Sequence, residues 1–124
     1  MATKILILDD EVKMVEGMKE FFEIMGYTVF GCFSGDQALD VMERENPQVA
    51  LCDLNLKDSP ITGLDVVKEI TEKFPETKII LMTGYGSEKV IKDMCMKYEP
   101  FMYLDKPVDL VEIQEAIEGI DTVS

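Results

Sequence analysis

Five short aliphatic segments alternate along the chain with five segments of helical periodicity. The aliphatic segments begin near residues 4, 27, 49, 78 and 101 and span four to six residues each, which is the length of a β-strand. In the segments that follow them, apolar residues recur every three or four positions, as they do on one face of an α-helix. Strands that alternate with helices form βαβ units, in which the strands are parallel and helices cover both faces of the sheet. The alternation therefore predicts an α/β fold built on a single parallel sheet.

Right-handed crossover connections leave few possible orders for five parallel strands. The commonest small solution is a doubly wound sheet of order 2-1-3-4-5, with helices on both sides in a three-layer sandwich. The chain has 124 residues, the length of one domain, so we expect a single domain over residues 1–124. In such sheets a ligand binds outside the carboxyl ends of the strands, at the switch point between the first and third strands. Functional residues are therefore expected at those strand ends.

Punctuating residues delimit the predicted helices. Gly26 ends the first helix, and Ser34 with Gln37 three residues later is the pattern of a capping box at the start of the second. Ser87 is suited to cap the fourth helix. For the third helix, the periodicity predicts one buried face, made of Leu64, Val67, Ile70 and Phe74.

The charge balance and the residues that the chain lacks exclude several function classes. Twelve basic and 25 acidic residues give a formal net charge of −13, which is incompatible with most direct nucleic-acid binding and disfavours an anionic membrane surface. Neither a signal peptide nor a membrane-spanning apolar run is present, so we expect no membrane insertion and a cytoplasmic protein. The chain has no histidine, and Cys32, Cys52 and Cys95 lie far apart, which excludes zinc-finger, haem and His-dependent triad sites.

Polar side chains stand at the carboxyl ends of four predicted strands. Asp9 and Asp10 follow the first strand, Asp53 ends the third, Thr83 ends the fourth and Lys106 follows the fifth. Any one of them alone is explained as a solvated loop residue, but the fold brings all of them to one rim. Adjacent carboxylates repel each other unless a cation lies between them, and three oxygen donors without His or Cys suit Mg²⁺ best. The lysine opposite adds a positive charge for an anionic group such as phosphate.

Four segments, residues 5–11, 51–56, 82–85 and 103–107, resemble in order and spacing the receiver domain of two-component response regulators. The resemblance extends from Lys4 to about Ile120. It implies a flavodoxin-like (βα)5 sandwich and a phosphorelay protein that accepts a phosphoryl group rather than a turnover enzyme. The implied cofactor is Mg²⁺, with Mn²⁺ as an alternative. The implied partners are a sensor histidine kinase or phosphotransfer protein upstream and an effector protein or domain downstream, without direct contact to nucleic acid.

The resemblance also implies a role for each acidic residue of the rim. Asp53 would accept the phosphoryl group from a phosphohistidine. Asp10 would bind Mg²⁺ directly and Asp9 would hold it mostly through water, while Asp53 itself and the backbone carbonyl of Asn55 would complete the protein ligands.

Further roles follow for the last two strands. Thr83 would hydrogen-bond to the phosphoryl group, and Lys106 would pair with it after a cis peptide bond to the following proline. Thr83 and Tyr103 would form the switch, because the aromatic ring turns inward as the threonine moves toward the phosphoryl group. Gly84 and Tyr85, together with Asn55, would control the access of the hydrolytic water.

Three features depart from the family pattern. The loop after Asp53 is two residues longer than is usual and has Lys57 where proline is frequent. This difference bears on how a phosphodonor reaches the site and not on which residue accepts the phosphoryl group. The segment 98–100 replaces the usual small Gly-Ala pair. The last helix carries glutamates and no arginine, so the sequence does not support a dimer joined by basic residues of that helix.

Two other function classes remain open at this point. A hydrolase of the haloacid dehalogenase kind needs an Asp-x-Asp sequence after the first strand and a cap region, whereas this chain has Asp9-Asp10-Glu11 and no room for a cap. A phosphorylation-independent receiver-like interaction module would normally have lost one of the five site residues, and all five are present. We therefore expect a receiver domain over residues 1–124 with no output domain.

Overall fold

Strands and helices alternate from one end of the computed structural model to the other, in the part of the chain that it describes, residues 3–56, 60–84 and 88–123. The strands are β1 (Lys4–Leu8), β2 (Thr28–Cys32), β3 (Val49–Asp53), β4 (Lys78–Thr83) and β5 (Met102–Asp105). The helices are α1 (Val12–Ile24), α2 (Gly35–Glu45), α3 (Gly63–Lys73), α4 (Glu88–Tyr98) and α5 (Leu110–Val123). All strand pairs are parallel, in the order β2-β1-β3-β4-β5, so the predicted topology is confirmed.

Two apolar clusters hold the helices against the sheet. On one face, side chains of α1 and α5 such as Phe22 and Ile113 pack against the strands. On the other face, side chains of α2, α3 and α4 such as Met42, Ile70 and Met94 do so. Each large apolar side chain buried in this way contributes about 1.5–3 kcal/mol. Because helices cover both faces, every residue of the central strand β3 is buried, including the Asp53 at its end.

The buried face of α3 differs from the prediction. Leu64 is 40% exposed, whereas Val66 is buried together with Val67 and Ile70. The reason is that Gly63, the first residue of α3, packs directly against the end of β3. This contact turns the side chains three, four and seven residues later toward the sheet. The sequence periodicity identified the helix, but its four apolar positions do not fix which way the helix is rotated about its axis to within about one residue.

The helix ends follow the predicted signals in part. Gly26 ends α1 with a φ of 98°, and Ser34 Oγ accepts a hydrogen bond from the Gln37 amide at 3.3 Å. The Gln37 side chain accepts from the amide of Phe33 at 2.7 Å rather than from that of Ser34, so the predicted box is confirmed on one side only. The predicted cap at Ser87 lies outside the described residues.

Two of the three thiols are buried in the core. Burial raises the pKa of Cys32 to about 11 and that of Cys52 to about 12, so both remain protonated near neutral pH. They therefore act as small apolar side chains. Among the described residues, no helix has the length and apolar character needed to cross a bilayer.

Candidate functional site

The carboxylates predicted to share a rim do lie together. Asp9, Asp10 and Asp53 each place one oxygen within 4.8 Å of the others. Asp9 is fully buried and Asp53 is 1% exposed, while Asp10 is half-buried. Three carboxylates in so small a volume repel one another and are poorly solvated, so a compensating cation is required.

The register of the sheet explains why these residues meet. Leu8 of β1 pairs with Cys52 of β3, so the two strands end side by side. On the other flank, Thr83 of β4 pairs with Asp105 of β5, and the amide of Lys106 donates to the carbonyl of Thr83 at 2.9 Å. The parallel pairing therefore brings the ends of four strands to one edge of the sheet.

Lys106 is the cation that the described part of the chain provides. Its ammonium lies 2.6 Å from Asp9 Oδ2 and 3.1 Å from Asp53 Oδ2, and its side chain is 16% exposed. Burial by itself would lower the pKa of Lys106, but the interactions with Asp9 and Asp53 outweigh it and raise the pKa. The ammonium is therefore charged throughout the physiological range. The peptide bond between Lys106 and Pro107 is cis, as the resemblance implied.

Two donors from the described residues hold Asp53 in place, one for each oxygen. The backbone amide of Asn55 donates to Oδ1 at 3.0 Å, and Lys106 donates to Oδ2 at 3.1 Å. Burial is the main influence on its pKa and raises it, the nearby charge of Asp9 acts in the same direction, and the two donors oppose this rise only in part. The carboxylate is thus oriented by its donors, while burial and the charge of Asp9 destabilise its ionised form.

Asp9 provides the clearest sign that a cation belongs here. Its Oδ1 accepts a hydrogen bond from the amide of Glu11 at 2.9 Å. Its Oδ2 is buried and in ion-pair contact with Lys106, yet among the described residues it has no hydrogen-bond partner of good geometry. A buried oxygen of this kind, in a set made only of oxygen donors, fits a hard divalent cation such as Mg²⁺. The residues present therefore fit the metal that the sequence predicted.

Thr83 lies at the edge of this cluster and is bound to a residue whose side-chain role was not foreseen. Thr83 is 2% exposed, and its Oγ1 accepts a hydrogen bond from the side-chain amide of Asn55 at 3.1 Å. The sequence pointed to Asn55 only through its carbonyl and its place near the water path. A polar residue two positions after Asp53 was the available signal, but no spacing rule indicated its partner.

Gly84 and Gly63, the two glycines near the site, differ in the space that a side chain would find at their positions. A Cβ on Gly84 would lie 3.7 Å from the Lys106 side chain, which is an ordinary contact, so space remains beside Thr83. A Cβ on Gly63 would lie 2.0 Å from the carbonyl oxygen of Asp53, which is impossible without a backbone shift. Gly63 was not among the predicted site residues. Tyr85 and Lys57, which were singled out in the sequence, lie outside the described residues.

The predicted switch residue Tyr103 lies on β5, half-buried against the cluster under α2, α3 and α4. Its hydroxyl donates to Asp105 Oδ1 at 2.6 Å. Asp105 was not a predicted site residue, although its position two residues further along the strand puts it on the same face as the tyrosine.

Comparisons with known proteins agree with this geometry. Residues 5–118 match the family model described as the response regulator receiver domain. The chain is 30% identical to the sporulation initiation phosphotransferase F of Bacillus subtilis (strain 168), over 95% of this chain and 93% of that protein. It is also 30% identical to the transcriptional regulatory protein CrdR of Helicobacter pylori, of which it covers 54%. Among solved structures, a CheY-like receiver domain protein from Methanospirillum hungatei JF-1 is similar at a TM-score of 0.87 and 27% identity, over 96% of this chain and 93% of that one.

Proposed function

The chain belongs to the response regulator receiver family, whose members transmit signals in two-component phosphorelays, and we propose on that premise that Asp53 is its phosphoryl acceptor. The observation that carries this proposal is the arrangement of Asp53 itself. It is a buried carboxylate, hydrogen-bonded to Lys106 and placed within a cluster of acidic oxygens at the carboxyl edge of the sheet. The donor would be the phosphohistidine of a sensor histidine kinase or of a phosphotransfer protein.

In this proposal the carboxylate of Asp53 is the nucleophile. One oxygen attacks the phosphorus of the donor in line, so that a P–O bond forms while the P–N bond breaks and its electron pair leaves with the imidazole nitrogen. Water later attacks the resulting acyl phosphate and releases inorganic phosphate, which restores the carboxylate. This self-phosphorylation and self-dephosphorylation resets a signal and does not turn over a substrate.

Lys106 and Thr83 would stabilise the transferred group. The Lys106 ammonium already contacts an oxygen of Asp53, so its charge is in place as negative charge moves onto the acceptor. Because Thr83 Oγ1 accepts a hydrogen bond from the side-chain amide of Asn55, its own hydroxyl remains able to donate a hydrogen bond to a phosphoryl oxygen. Asn55 and Gly84 border the space that the hydrolytic water would use, and their control of its access remains a prediction, as does that of Tyr85.

Receiver domains use Mg²⁺ at an acidic pocket, and Asp9, Asp10 and Asp53 are the side chains that would hold it in this chain, with Asn55 offering its carbonyl. When bound, Mg²⁺ supplies positive charge that neutralises the phosphoryl oxygens. In the described part of the chain, Lys106 is the one cation that contacts these two buried carboxylates, which supports a need for that further charge.

The alternative of a phosphorylation-independent interaction module is not favoured, because every residue that the chemistry needs is present and Asp53, Thr83 and Lys106 are brought together. Family members work with kinases and effectors. The chain spans 93% of the sporulation phosphotransferase and 54% of CrdR. We propose a cytoplasmic location, with an effector protein or domain as the downstream partner.

The proposed function is tested by phosphorylation with a small donor. The protein is incubated with acetyl phosphate, once with millimolar Mg²⁺ and once with EDTA, and its intact mass is measured. We expect one added phosphoryl group in the presence of Mg²⁺ and little in EDTA, because the metal and Lys106 act together on the transferred charge. A protein that gains no phosphoryl group under either condition would be an interaction module instead.

A second prediction concerns the metal site and stability. Mg²⁺ binds the folded cluster and not the unfolded chain, so at some tens of times its Kd it should stabilise by about 2 kcal/mol, or about 5–10 °C in Tm. Asp10→Asn relieves repulsion in the metal-free protein and removes a ligand, so it should raise the Tm in EDTA and nearly abolish the rise with Mg²⁺.

Thermal melts of the wild type, Asp10→Asn and the surface variant Glu72→Gln, in EDTA and in millimolar Mg²⁺, make this comparison. Glu72 is exposed on α3, away from the cluster, and its replacement should leave both Tm values unchanged. If the wild type shows no Mg²⁺-dependent shift, the three carboxylates are not a metal site.

A further inference from the structure

Tyr103 and Asp105 form a side-chain pair on the exposed edge strand β5. They are two residues apart, so both side chains lie on the same face of the strand. The tyrosine hydroxyl donates to Asp105 Oδ1 at 2.6 Å, the short distance typical of a hydroxyl bound to a charged carboxylate. Asp105 is exposed, whereas the tyrosine ring packs in part against the core. The phenol is therefore held at the protein surface.

The pair lies next to the residues that would carry the phosphorylation signal. Thr83 is the register partner of Asp105 on β4, and Lys106 follows Asp105 directly. Asp105 makes no ion pair with Lys106 among the described residues, because the lysine pairs with Asp9 and Asp53. The carboxylate of Asp105 is thus available to Tyr103 rather than to the acceptor site.

We propose that Asp105 is a positioning residue, which holds Tyr103 at the surface in the unphosphorylated protein and opposes the inward rotation of its ring. This proposal rests on the proposed function, since it concerns the switch that accompanies phosphorylation of Asp53. A ring that turns into the core moves its hydroxyl away from an exposed carboxylate and loses this hydrogen bond. A contact made in only one of two states shifts the equilibrium between them by its own free energy.

The size of the effect follows from the value of one hydrogen bond. The net free energy of one typical hydrogen bond changes an equilibrium constant about fivefold. Removal of the Asp105 carboxylate should therefore increase the ratio of inward to outward ring about fivefold. Since the inward state is the one that phosphorylation favours, the rate of labelling should rise by a similar factor while the outward state dominates.

The first test observes the ring directly, without phosphorylation. The protein is labelled with 3-fluorotyrosine, and the fluorine resonance that is missing from Tyr103→Phe is assigned to Tyr103. In Asp105→Ala this resonance should move toward the position that it takes in the phosphorylated wild type. The control is Glu115→Ala, which also removes one exposed carboxylate, but on α5, and should leave the resonance in place.

The second test is a double-mutant cycle on the rate of labelling by acetyl phosphate. Asp105→Ala should increase the rate about fivefold in the wild-type background and not at all in the Tyr103→Phe background, because no hydroxyl remains to be held. An equal increase in both backgrounds would mean that the charge of Asp105 acts on the site directly, and would overturn the proposal.

The two tests separate this inference from the proposed function. If the wild type gains no phosphoryl group at all, the proposed function fails, while a shift of the fluorine resonance in Asp105→Ala, absent in Glu115→Ala, still reports that Asp105 holds the ring. If labelling proceeds but the resonance is the same in Asp105→Ala and in the wild type, the function stands and the role of Asp105 is refuted.

Discussion

Asp53→Asn abolishes the gain of a phosphoryl group from acetyl phosphate while the protein remains folded. An amide is not a nucleophile toward phosphorus under these conditions, and Asp53 is the carboxylate at the end of β3 that Lys106 and the amide of Asn55 orient. Intact mass spectrometry in Mg²⁺ is the measurement. The expected loss is complete, since Asp9 and Asp10 follow the neighbouring strand β1 and would serve in this proposal as metal ligands rather than as the acceptor.

A thermal melt in EDTA checks that this variant is folded, and the direction of the change in Tm can be predicted from the pKa of Asp53. Burial raises the pKa of Asp53 in the folded protein above its unfolded value, so near neutral pH the ionised carboxylate costs stability, and the cost falls as the pH drops through the folded pKa. The neutral asparagine removes this cost, and the Tm should equal or exceed that of the wild type. A variant that is folded and still gains one phosphoryl group would show that another residue is the acceptor.

Gly63→Ala destabilises the protein by about 3 kcal/mol, which corresponds to a fall in Tm on the order of 10–15 °C. The new Cβ would lie 2.0 Å from the carbonyl oxygen of Asp53 and 2.8 Å from the Cα of Leu54, both of them backbone atoms of the strand end. The clash is relieved only if α3 moves away from the sheet and these backbone atoms of the strand end shift. Because the displaced strand end carries the acceptor, the labelling rate of any folded fraction should fall as well.

The matched control is Gly17→Ala on α1, where a Cβ meets nothing within 4 Å. Alanine is the better helix former there, so this variant should be more stable by about 0.5–1 kcal/mol. Thermal melts of the two variants beside the wild type should therefore shift in opposite directions. An unchanged Tm in Gly63→Ala would mean that α3 does not pack on β3 as described.

The order of the strands could be predicted because strands that alternate with helices, joined by right-handed crossovers, leave few possible topologies. The residues at the strand ends could be named because each of them follows an apolar run, while their roles stay predictions. A strand that is buried on both faces must be aliphatic throughout, and a charged residue can follow it only where the strand leaves the core. Asp9, Asp53 and Lys106 were therefore recognisable from the abrupt end of an apolar run. The parallel topology then brings such ends together without any further information.

The side-chain partners within the site and the rotation of α3 depended on tertiary contacts. The approach of Gly63 to the Asp53 carbonyl sets the face that α3 buries, and no apolar pattern within the helix contains that contact. The bond from Asn55 to Thr83 joins residues 28 positions apart, and Asp105 binds Tyr103 only because both project from one face of β5. Sequence periodicity specifies which elements form and which of their residues are buried or polar, since hydrophobic burial is non-directional and depends on residue type alone. Hydrogen bonds and close backbone contacts need particular distances and angles between distant parts of the chain, and only the folded arrangement of strands and helices determines these.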